Sequence, residues 1–407
     1  MANYLSHNST FVGLNNSENT PDFNHSESIY DGDNYDYYSE FYAYTYEITG
    51  KWEIPLRGYV KCILAFITIV TNTLLVSVFI FRSTRSPTTI VLTSLAISDS
   101  VICFTELPEA IYFNIAENYK NLYVTYQWCK VNHVLYIIYQ ICRMTSNWFT
   151  AVLGIQRLLA VALPFKYSKL CSNTATFVEI AVITLVAFLL NLYEAFGIYI
   201  EEIPIYTSFY LNESLPSGCI KEISLGLINT VGDATKSSMI FYIFSGLLYR
   251  VLPVAILIFT TVTLAYFLFK RVNNVKCCYS KKKKVTQRTT VLIFLILAVF
   301  VVAEIQDGIA YFIYAAELAR NAKRSFLSKE ADIAWDTIST LLSLMSYACN
   351  FWIFFLMSRQ FRSALQNIFK SRVLGAQVYF NLEASKKEST CSGHAPNISN
   401  SVTSTLV

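Results

Sequence analysis

Seven long apolar runs are the feature of this sequence that most constrains its fold. Each reaches the ~20 residues that a helix needs to cross about 30 Å of hydrocarbon. The runs are Leu56–Phe81, Thr88–Phe113, Val131–Val161, Phe177–Ile200, Ile240–Phe269, Val291–Tyr314 and Ile333–Met357. Hydrophobic residues make up 54% of the 407 residues and charged residues only 15%. We therefore expect an all-α membrane protein with a bundle of seven transmembrane helices, because a soluble domain of this size carries more charge.

The basic residues predict how the chain is oriented. Lys and Arg follow the first, third, fifth and seventh runs, whereas residues 1–50 contain neither. The positive-inside rule then places the amino terminus outside a plasma membrane and the carboxyl terminus in the cytoplasm. We expect an extracellular, disordered and glycosylated segment at 1–54 and a seven-helix domain at 55–357. An amphipathic helix on the membrane lipid at 358–370 and a disordered cytoplasmic tail at 371–407 complete the prediction.

Two features belong to the predicted outer side. N-x-Ser/Thr sequons predict glycosylation at Asn8, Asn15, Asn24 and Asn212. Residues 30–47 are rich in Tyr, Asp and Glu, which leaves two interpretations of similar weight. The segment either attracts a cationic ligand electrostatically or is only a solvated, glycosylated leader.

Two of the ten cysteines are expected to form a disulfide bond. Cys129 lies at the outer start of the third helix, just before the third run, and Cys219 lies in the long loop after the fourth, so both face the oxidising compartment. Most of the others lie within helices or on the cytoplasmic side. A bridge between these two would fasten the loop over the mouth of the bundle.

Several short motifs, each on its own run and in order, resemble those of rhodopsin-like (class A) G-protein-coupled receptors. They are Asn72, Leu95-Ala96-Ile97-Ser98-Asp99, Gln156-Arg157-Leu158, Pro253 and Asn350-Phe351-Trp352-Ile353-Phe354. The resemblance covers essentially all seven helices. It implies a receptor that couples an extracellular ligand to a heterotrimeric G protein.

A second set of motifs narrows the resemblance to the invertebrate sex-peptide and myoinhibitory-peptide receptors. The set comprises Cys142-Arg143, Leu153-Gly154-Ile155-Gln156-Arg157, Ala303-Glu304-Ile305 and Met357-Ser358-Arg359-Gln360-Phe361-Arg362. Myosuppressin and FMRFamide-type receptors share part of it and remain the alternative. The resemblance implies a receptor for a short amidated neuropeptide, coupled to an inhibitory G protein.

Asp99 is the first intramembrane charge to need a partner. It lies mid-helix, where a lone carboxylate protonates unless it is paired or solvated by polar groups. The resemblance places four polar residues around it. They are Asn72, Ser146, Ser346 and Asn350. Asp99 and these four residues either hold a sodium ion or form a polar network around a neutral or water-bridged Asp99. No other metal ion is expected.

Arg143, near mid-depth of the third run, needs an acidic partner. Glu304 lies sixteen residues inward from Arg288, which is about 24 Å along a helix and near the bilayer midplane. Related receptors carry an aromatic switch at this position, facing the third helix. We expect a buried Arg143–Glu304 pair that replaces this switch; the alternative is a static structural bridge.

Acidic and aromatic side chains between the Arg143–Glu304 level and the outer side predict a ligand pocket. The candidates are Glu106, Glu109, Tyr136, Tyr139, Gln140, Tyr242, Asp307, Tyr311 and Asp336. Such a cavity suits a ligand with a cationic group and an aromatic side chain. In the alternative interpretation some of these acids pair with Arg250 or with loop lysines.

The predicted cytoplasmic end carries the candidates for signalling. Arg157 would contact the G protein, and Pro164 and Phe165 would offer it an apolar plug. Gln156 replaces the acid that normally restrains the arginine, which predicts raised ligand-free activity. Ser and Thr residues of the tail would bind arrestin once phosphorylated, and Thr405-Leu406-Val407 is typical of PDZ-domain ligands.

Other functional classes fit less well. A transporter or channel is the alternative from a different class, but the sequence shows no internal repeat. None of the four histidines belongs to a nucleophile–base or metal-binding set, so we expect no enzyme activity and no cofactor. A nucleic-acid partner is not expected.

Overall fold

A computed structural model describes residues 50–81, 86–121, 124–163, 165, 167, 170–204, 217–223, 234–274, 280–320, 326–357, 361–368 and 370. Several predictions fall on residues outside these ranges. They are the glycosylation sites Asn8, Asn15, Asn24 and Asn212, the plug residue Pro164, and the terminal Thr405-Leu406-Val407.

The described residues form seven long helices. α1 comprises Pro55–Val60 and Lys61–Phe81, and α2 comprises Pro87–Glu109 and Ala110–Ile115. α3 is Tyr126–Ala162, and α4 is Asn173–Leu190 with a short helix, Leu192–Gly197, after it. α5 comprises Ala234–Phe244, Ser245–Val251 and Leu252–Asn274; α6 is Ser280–Ala319 and α7 is Lys329–Met357. The expected fold class is confirmed.

Three helices contain a turn in which the hydrogen bonds run from residue i to i+5, the π-helical pattern. These turns are Pro55–Val60 in α1, Ala110–Ile115 in α2 and Ser245–Val251 in α5. In α2 the turn follows Pro108, which lacks the N–H that a regular helix would use. Such turns widen a helix locally and are frequent at functional sites.

Five helical segments are long and apolar enough to cross a membrane among the described residues. They are Pro55–Ile80, Pro87–Ile115, Asn173–Gly197, Ser238–Phe267 and Val299–Ala319. α3 and α7, of 37 and 29 residues, are long enough as well but carry more polar side chains. The buried polar side chains of these two helices include Arg143, Asn147 and Ser343.

The fourth apolar run does not form one helix over its whole length. Its helix ends at Leu190, where the Asn191 side chain donates a hydrogen bond to the Ala187 carbonyl at 2.7 Å. The last three residues of the run, 198–200, belong instead to strand β1 (Ile198–Pro204). β1 pairs in antiparallel register with β2 (Ser217–Ile223), so the loop predicted here contains a hairpin.

The hairpin marks one end of the bundle, which we call the disulfide end. Cys219 of β2 is bonded to Cys129 near the start of α3, as the sequence predicted. Both cysteines are buried, together with Phe113 and Val124. Tyr112 stacks on Trp128 beside them, with ring centroids 3.9 Å apart.

α3 is the central helix, packed against α2, α4, α5 and both strands. α1 packs against α2 and α7, and α6 packs against α5 and α7, which closes the ring. At the end opposite the disulfide, residues 361–368 form the expected short helix. Its Phe361 and Leu365 are buried against Leu75, Val78 and Phe351.

α5 and α6 approach closely at two glycines. A Cβ on Gly246 would lie 3.0 Å from Tyr311 Cβ, and one on Gly308 would lie 3.3 Å from Arg250 Cβ. Small residues let helix backbones come together in this way. The approach places Arg250 of α5 beside the acidic residues of α6.

Candidate functional site

Asp99 is fully buried at the centre of the bundle. Its carboxylate accepts hydrogen bonds from Ser146 Oγ at 2.5 Å and from Asn350 Nδ2 at 2.8 Å. Asn72 and Ser346 are buried as well. Within the described part of the chain, the Asn72 side-chain amide has no hydrogen-bond partner. Two of the four predicted neighbours therefore bond Asp99 directly, and Asn72 leaves an unsatisfied polar group.

Arg143 and Glu304 lie together in the interior, and the pair is part of a larger cluster. Arg143 Nη2 lies 3.4 Å from Glu304 Oε1 and makes a closer ion pair with Asp307. The same nitrogen donates to Ser343 Oγ at 3.0 Å, and Nη1 donates to the Tyr139 hydroxyl at 2.6 Å. The predicted single pair is thus too simple, because Asp307, one helical turn from Glu304, shares the same arginine.

Arg250 is the second cation of this cluster. Its Nε lies 3.7 Å from Glu304 Oε2 and 3.8 Å from Asp307 Oδ2. Arg143, Arg250, Glu304 and Asp307 form what we call the buried charge cluster, and its formal charges cancel. Such balance is expected where desolvated ions must compensate one another.

Asn147 fastens the charge cluster to the π-helical turn of α5. Its Nδ2 donates to Glu304 Oε2 at 2.7 Å and to the Tyr249 carbonyl at 2.9 Å. Trp148 Nε1 donates to the neighbouring Leu248 carbonyl at 3.1 Å. Since Ser146 bonds Asp99, consecutive residues of α3 contact the two buried acidic sites.

A cleft opens between α1, α2, α3 and α7 towards the disulfide end. We call it the α1–α7 cleft. Its lining includes Glu106, Glu109, Tyr136, Tyr139 and Asp336 from the predicted ligand set. The lining is completed by Leu56, Arg57, Lys61, Thr105, Asn132, Leu135, Thr337, Thr340 and Leu341.

The other predicted ligand residues do not line this cleft. Tyr242 and Tyr311 pack in an aromatic cluster between α5 and α6, with ring centroids 5.9 Å apart. Asp307 belongs to the buried charge cluster. Gln140 is fully buried between the two groups. The residues expected to line one pocket therefore fall into two groups, of which one lines the cleft and the other packs in the interior.

Two basic residues of α1 reduce the acidity of the cleft. Lys61 makes a close ion pair with Glu106 and lies 3.7 Å from Glu109 Oε2. Arg57 Nη2 donates to Asp336 Oδ2 at 3.1 Å. Glu53, 3.9 Å from Arg57, is fully buried and does not belong to the lining. Three acids and two bases therefore line the cleft, and their formal charges sum to −1, so the cleft is acidic but less so than predicted.

Tyrosines connect the cleft to the charge cluster. Tyr139 lines the cleft and accepts the hydrogen bond from Arg143. Tyr136, also in the lining, accepts from Gln140 Nε2 at 2.7 Å. Gln140 Nε2 lies 3.0 Å from the Tyr311 hydroxyl as well, and the Arg250 guanidinium lies 5.8 Å from the Tyr311 ring. One side chain, Tyr139, thus links the cleft to Arg143, and a chain of three, Tyr136, Gln140 and Tyr311, links it to Arg250.

Arg157 lies far from this cleft, at the opposite end of α3. Its side chain is exposed, whereas the adjacent Gln156 is 2% exposed. Neither amide atom of Gln156 has a hydrogen-bond partner within the residues that the structure describes. Phe165 is 93% exposed at the same end. The arginine and the aromatic ring are thus available to a protein partner.

Arg57, Lys61 and Asn147 are site residues that were not predicted. Arg57 and Lys61 lie four residues apart, and Glu53 lies four residues before Arg57, so these three residues share one face of a helix. This spacing was the available signal, although Arg57 and Lys61 lie within an apolar run. Asn147 carries no comparable signal, since a single asparagine on a polar helix predicts no particular partner.

Comparisons with known proteins agree with this architecture. The model of the serpentine-type seven-transmembrane G-protein-coupled chemoreceptor family Srw matches residues 59–372. The sex peptide receptor of Drosophila melanogaster is 28% identical over 339 residues, which cover 80% of this chain and 74% of the relative. Sex peptide receptor-related protein 2 of Caenorhabditis elegans is 20% identical over 362 residues, with coverage of 85% and 80%.

The family match spans well over half of the chain and includes all seven helices. It confirms the expected resemblance to the sex-peptide receptor group, and it identifies a receptor rather than an enzyme or a transporter. The chain is a multi-pass membrane protein that belongs to the Srw family of serpentine seven-transmembrane G-protein-coupled receptors.

Proposed function

We propose that this receptor binds a short amidated peptide with a cationic group and signals through an inhibitory heterotrimeric G protein. The observation that carries the proposal is the α1–α7 cleft, whose lining holds three acids and two bases. The names of the two relatives, both sex peptide receptors or related to one, favour a peptide as the ligand. In this proposal the disulfide end is extracellular and the Arg157 end cytoplasmic.

Glu109 is the acid best placed to meet the cation. Its side chain is 27% exposed and lies 3.7 Å from Lys61, whereas Glu106 is 7% exposed and in close contact with the same lysine. Asp336, 18% exposed, is already hydrogen-bonded to Arg57. A ligand cation at Glu109 would therefore displace the weakest of these ion pairs. Neighbouring tyrosines offer aromatic faces to the rest of the ligand.

The buried charge cluster serves as the switch in this proposal. Arg143 ties α3 to α6 through Glu304 and Asp307, and its other hydrogen bonds reach Tyr139 and Ser343. A ligand that moves Tyr139 would weaken the tie between α3 and α6. Arg157 at the far end of α3 would then contact the G protein.

A sodium ion at Asp99 belongs to the same proposal. Carboxylate, hydroxyl and amide oxygens are the ligands that hard cations prefer. Asp99 and Ser146 supply two such oxygens, and the unsatisfied amide of Asn72 could supply a third. The ion would neutralise the buried carboxylate and hold α2, α3 and α7 together. The alternative remains a polar network around an uncharged Asp99.

A peptide panel tests the proposed ligand class. Cells that express the full chain would be exposed to amidated peptides of the myoinhibitory, myosuppressin and FMRFamide types, and to the Drosophila sex peptide. We expect at least one to lower forskolin-stimulated cyclic AMP in a concentration-dependent way. An Arg157→Ala variant should bind the same peptide without the cyclic AMP response. A verified surface receptor that responds to no peptide by any second messenger would contradict the proposal.

We expect Gln156→Asp to lower ligand-free signalling. Gln156 stands beside Arg157 without a charge, so nothing at this position restrains the arginine by an ion pair. A carboxylate here would hold Arg157 and disfavour its contact with the G protein. Ligand-free nucleotide exchange on purified G protein measures the effect, with Gln156→Asn as the uncharged control. Equal exchange rates for the Asp and Asn variants would refute this explanation.

A further inference from the structure

Arg250 is the buried charged residue with the most unpartnered side-chain nitrogens among the residues that the structure describes. Its side chain is fully buried, and none of its three guanidinium nitrogens donates a hydrogen bond within the described ranges. The nearest carboxylate oxygens, of Glu304 and Asp307, lie at 3.7 and 3.8 Å. A buried guanidinium without hydrogen bonds is costly, so this arrangement is kept only if something else requires it.

Arg143 competes for the same two acids and currently holds them more closely. It makes the close ion pair with Asp307, and it also donates to Glu304, Ser343 and Tyr139. The two arginines belong to different helices, Arg143 to α3 and Arg250 to α5, while both acids belong to α6. Whichever arginine holds the acids therefore decides whether α6 is tied to α3 or to α5.

The local geometry permits an exchange. Arg250 lies in the π-helical turn Ser245–Val251, a segment whose hydrogen bonds can shift by one residue. Gly246 and Gly308 carry no side chain of their own, which lets the backbones of α5 and α6 lie close together beside Arg250. A movement of about 1 Å would bring Arg250 within the usual N–H···O distance of either acid.

Both arginines are connected to the cleft by separate tyrosine routes. Tyr139 bonds Arg143 directly, whereas Tyr136 reaches the Arg250 side through Gln140 and Tyr311. A ligand can thus favour one arginine at the expense of the other.

We propose that Arg250 is a positioning residue that takes Glu304 and Asp307 from Arg143 when the receptor becomes active. In the conformation described here, Arg143 ties α6 to α3. In the active conformation Arg250 ties α6 to α5, and the contact between α3 and α6 is released. The inference rests on the receptor function but requires no particular ligand.

Two charge-balanced double variants test the exchange. Arg143→Gln with Asp307→Asn leaves Arg250 and Glu304 as the remaining ion pair. Arg250→Gln with Asp307→Asn leaves Arg143 and Glu304. Each removes one charge of either sign and retains amides that can form hydrogen bonds, so both chains are expected to fold.

Ligand-free nucleotide exchange, normalised to the amount of folded receptor, should differ between the two variants. We expect the exchange rate of the variant that keeps Arg250 to be roughly tenfold higher than that of the variant that keeps Arg143. A change of this size is what the loss of a set of charge-assisted hydrogen bonds produces. A merely structural role would affect both alike. Equal rates, or the reverse order, would overturn the inference.

The distance between α3 and α6 is a second readout, and it can be measured without any G protein. Spin labels at Ala162 on α3 and Ser280 on α6 report the separation of these helices at the Arg157 end. The distance should be longer in the variant that keeps Arg250. Identical distance distributions would overturn the exchange even if a peptide activates the wild-type receptor, so its failure is distinct from that of the proposed function.

Discussion

Glu304→Lys is expected to abolish most of the folded receptor. The substitution places a third positive charge beside Arg143 and Arg250 and leaves one acid of the buried charge cluster, Asp307, to compensate them. It also removes one of the two acceptors of the Asn147 amide, the other being the Tyr249 carbonyl. Breaking a buried ion pair from one side costs about 3–5 kcal/mol, and a reversed charge should cost at least as much. Thermal unfolding in detergent and surface expression both measure the loss.

Two controls separate this effect from a general response to charge. Glu330→Lys makes the same change at an exposed position of α7 and should alter the free energy of unfolding by no more than about 0.5 kcal/mol. Glu304→Gln keeps an acceptor for Asn147 and should be intermediate. If Glu304→Lys folded as well as Glu330→Lys, Glu304 would not be the buried counter-ion described here.

The structure also changes what a charge swap should do. An isolated Arg143–Glu304 pair would be restored by Arg143→Glu together with Glu304→Arg. Position 143 contacts Asp307 as well, so a glutamate there would meet a second carboxylate. We therefore expect the swapped receptor to remain destabilised.

Loss of the Cys129–Cys219 bond is expected to have the second-largest effect. The bond closes a segment of 90 residues and attaches β2 to α3, and both cysteines are buried. Removing a native disulfide typically costs about 2–5 kcal/mol. Because either substitution breaks the same bond, Cys129→Ser, Cys219→Ser and the double variant should lose similar amounts of stability.

Thermal unfolding of the three variants under non-reducing conditions checks this expectation. Cys62→Ser, at a half-buried free cysteine of α1, serves as the control and should change little. Single substitutions that match this control, or a double variant with twice the loss, would indicate that the bond contributes little to stability.

The helices could be predicted because their signal is local. Each apolar run is long enough to span a bilayer, and the observed helices extend most runs by only a few residues. The hairpin escaped prediction because Ile198–Ile200 continues an apolar run, and composition alone does not distinguish a buried strand from the end of a helix. The break at Asn191 depends on one side chain that bonds its own helix.

The candidate site was less accessible from the sequence. Charges inside a span indicate function, so Asp99, Arg143 and Glu304 could be predicted from the sequence. Two contacts could not be predicted: Arg143 holds Asp307 more closely than Glu304, and Arg57 and Lys61 neutralise part of the cleft. Those partners depend on how α1 rotates against α7 and how closely α5 approaches α6, and both are set by packing between distant segments.

The central claim is that the acidic excess of the α1–α7 cleft recognises a cation of the peptide. The most direct measurement is the dissociation constant of two peptides: an activating peptide, and its analogue in which each cationic group is replaced by a neutral isostere. Both are measured on the wild-type receptor, on Glu109→Gln and on Glu330→Gln. Glu109→Gln should weaken the binding of the cationic peptide about tenfold, or about 1.4 kcal/mol, and leave the binding of the neutral analogue unchanged. Glu330→Gln should change the binding of neither peptide. If both peptides bound the wild-type receptor equally, or if Glu109→Gln weakened both alike, the claim would be contradicted.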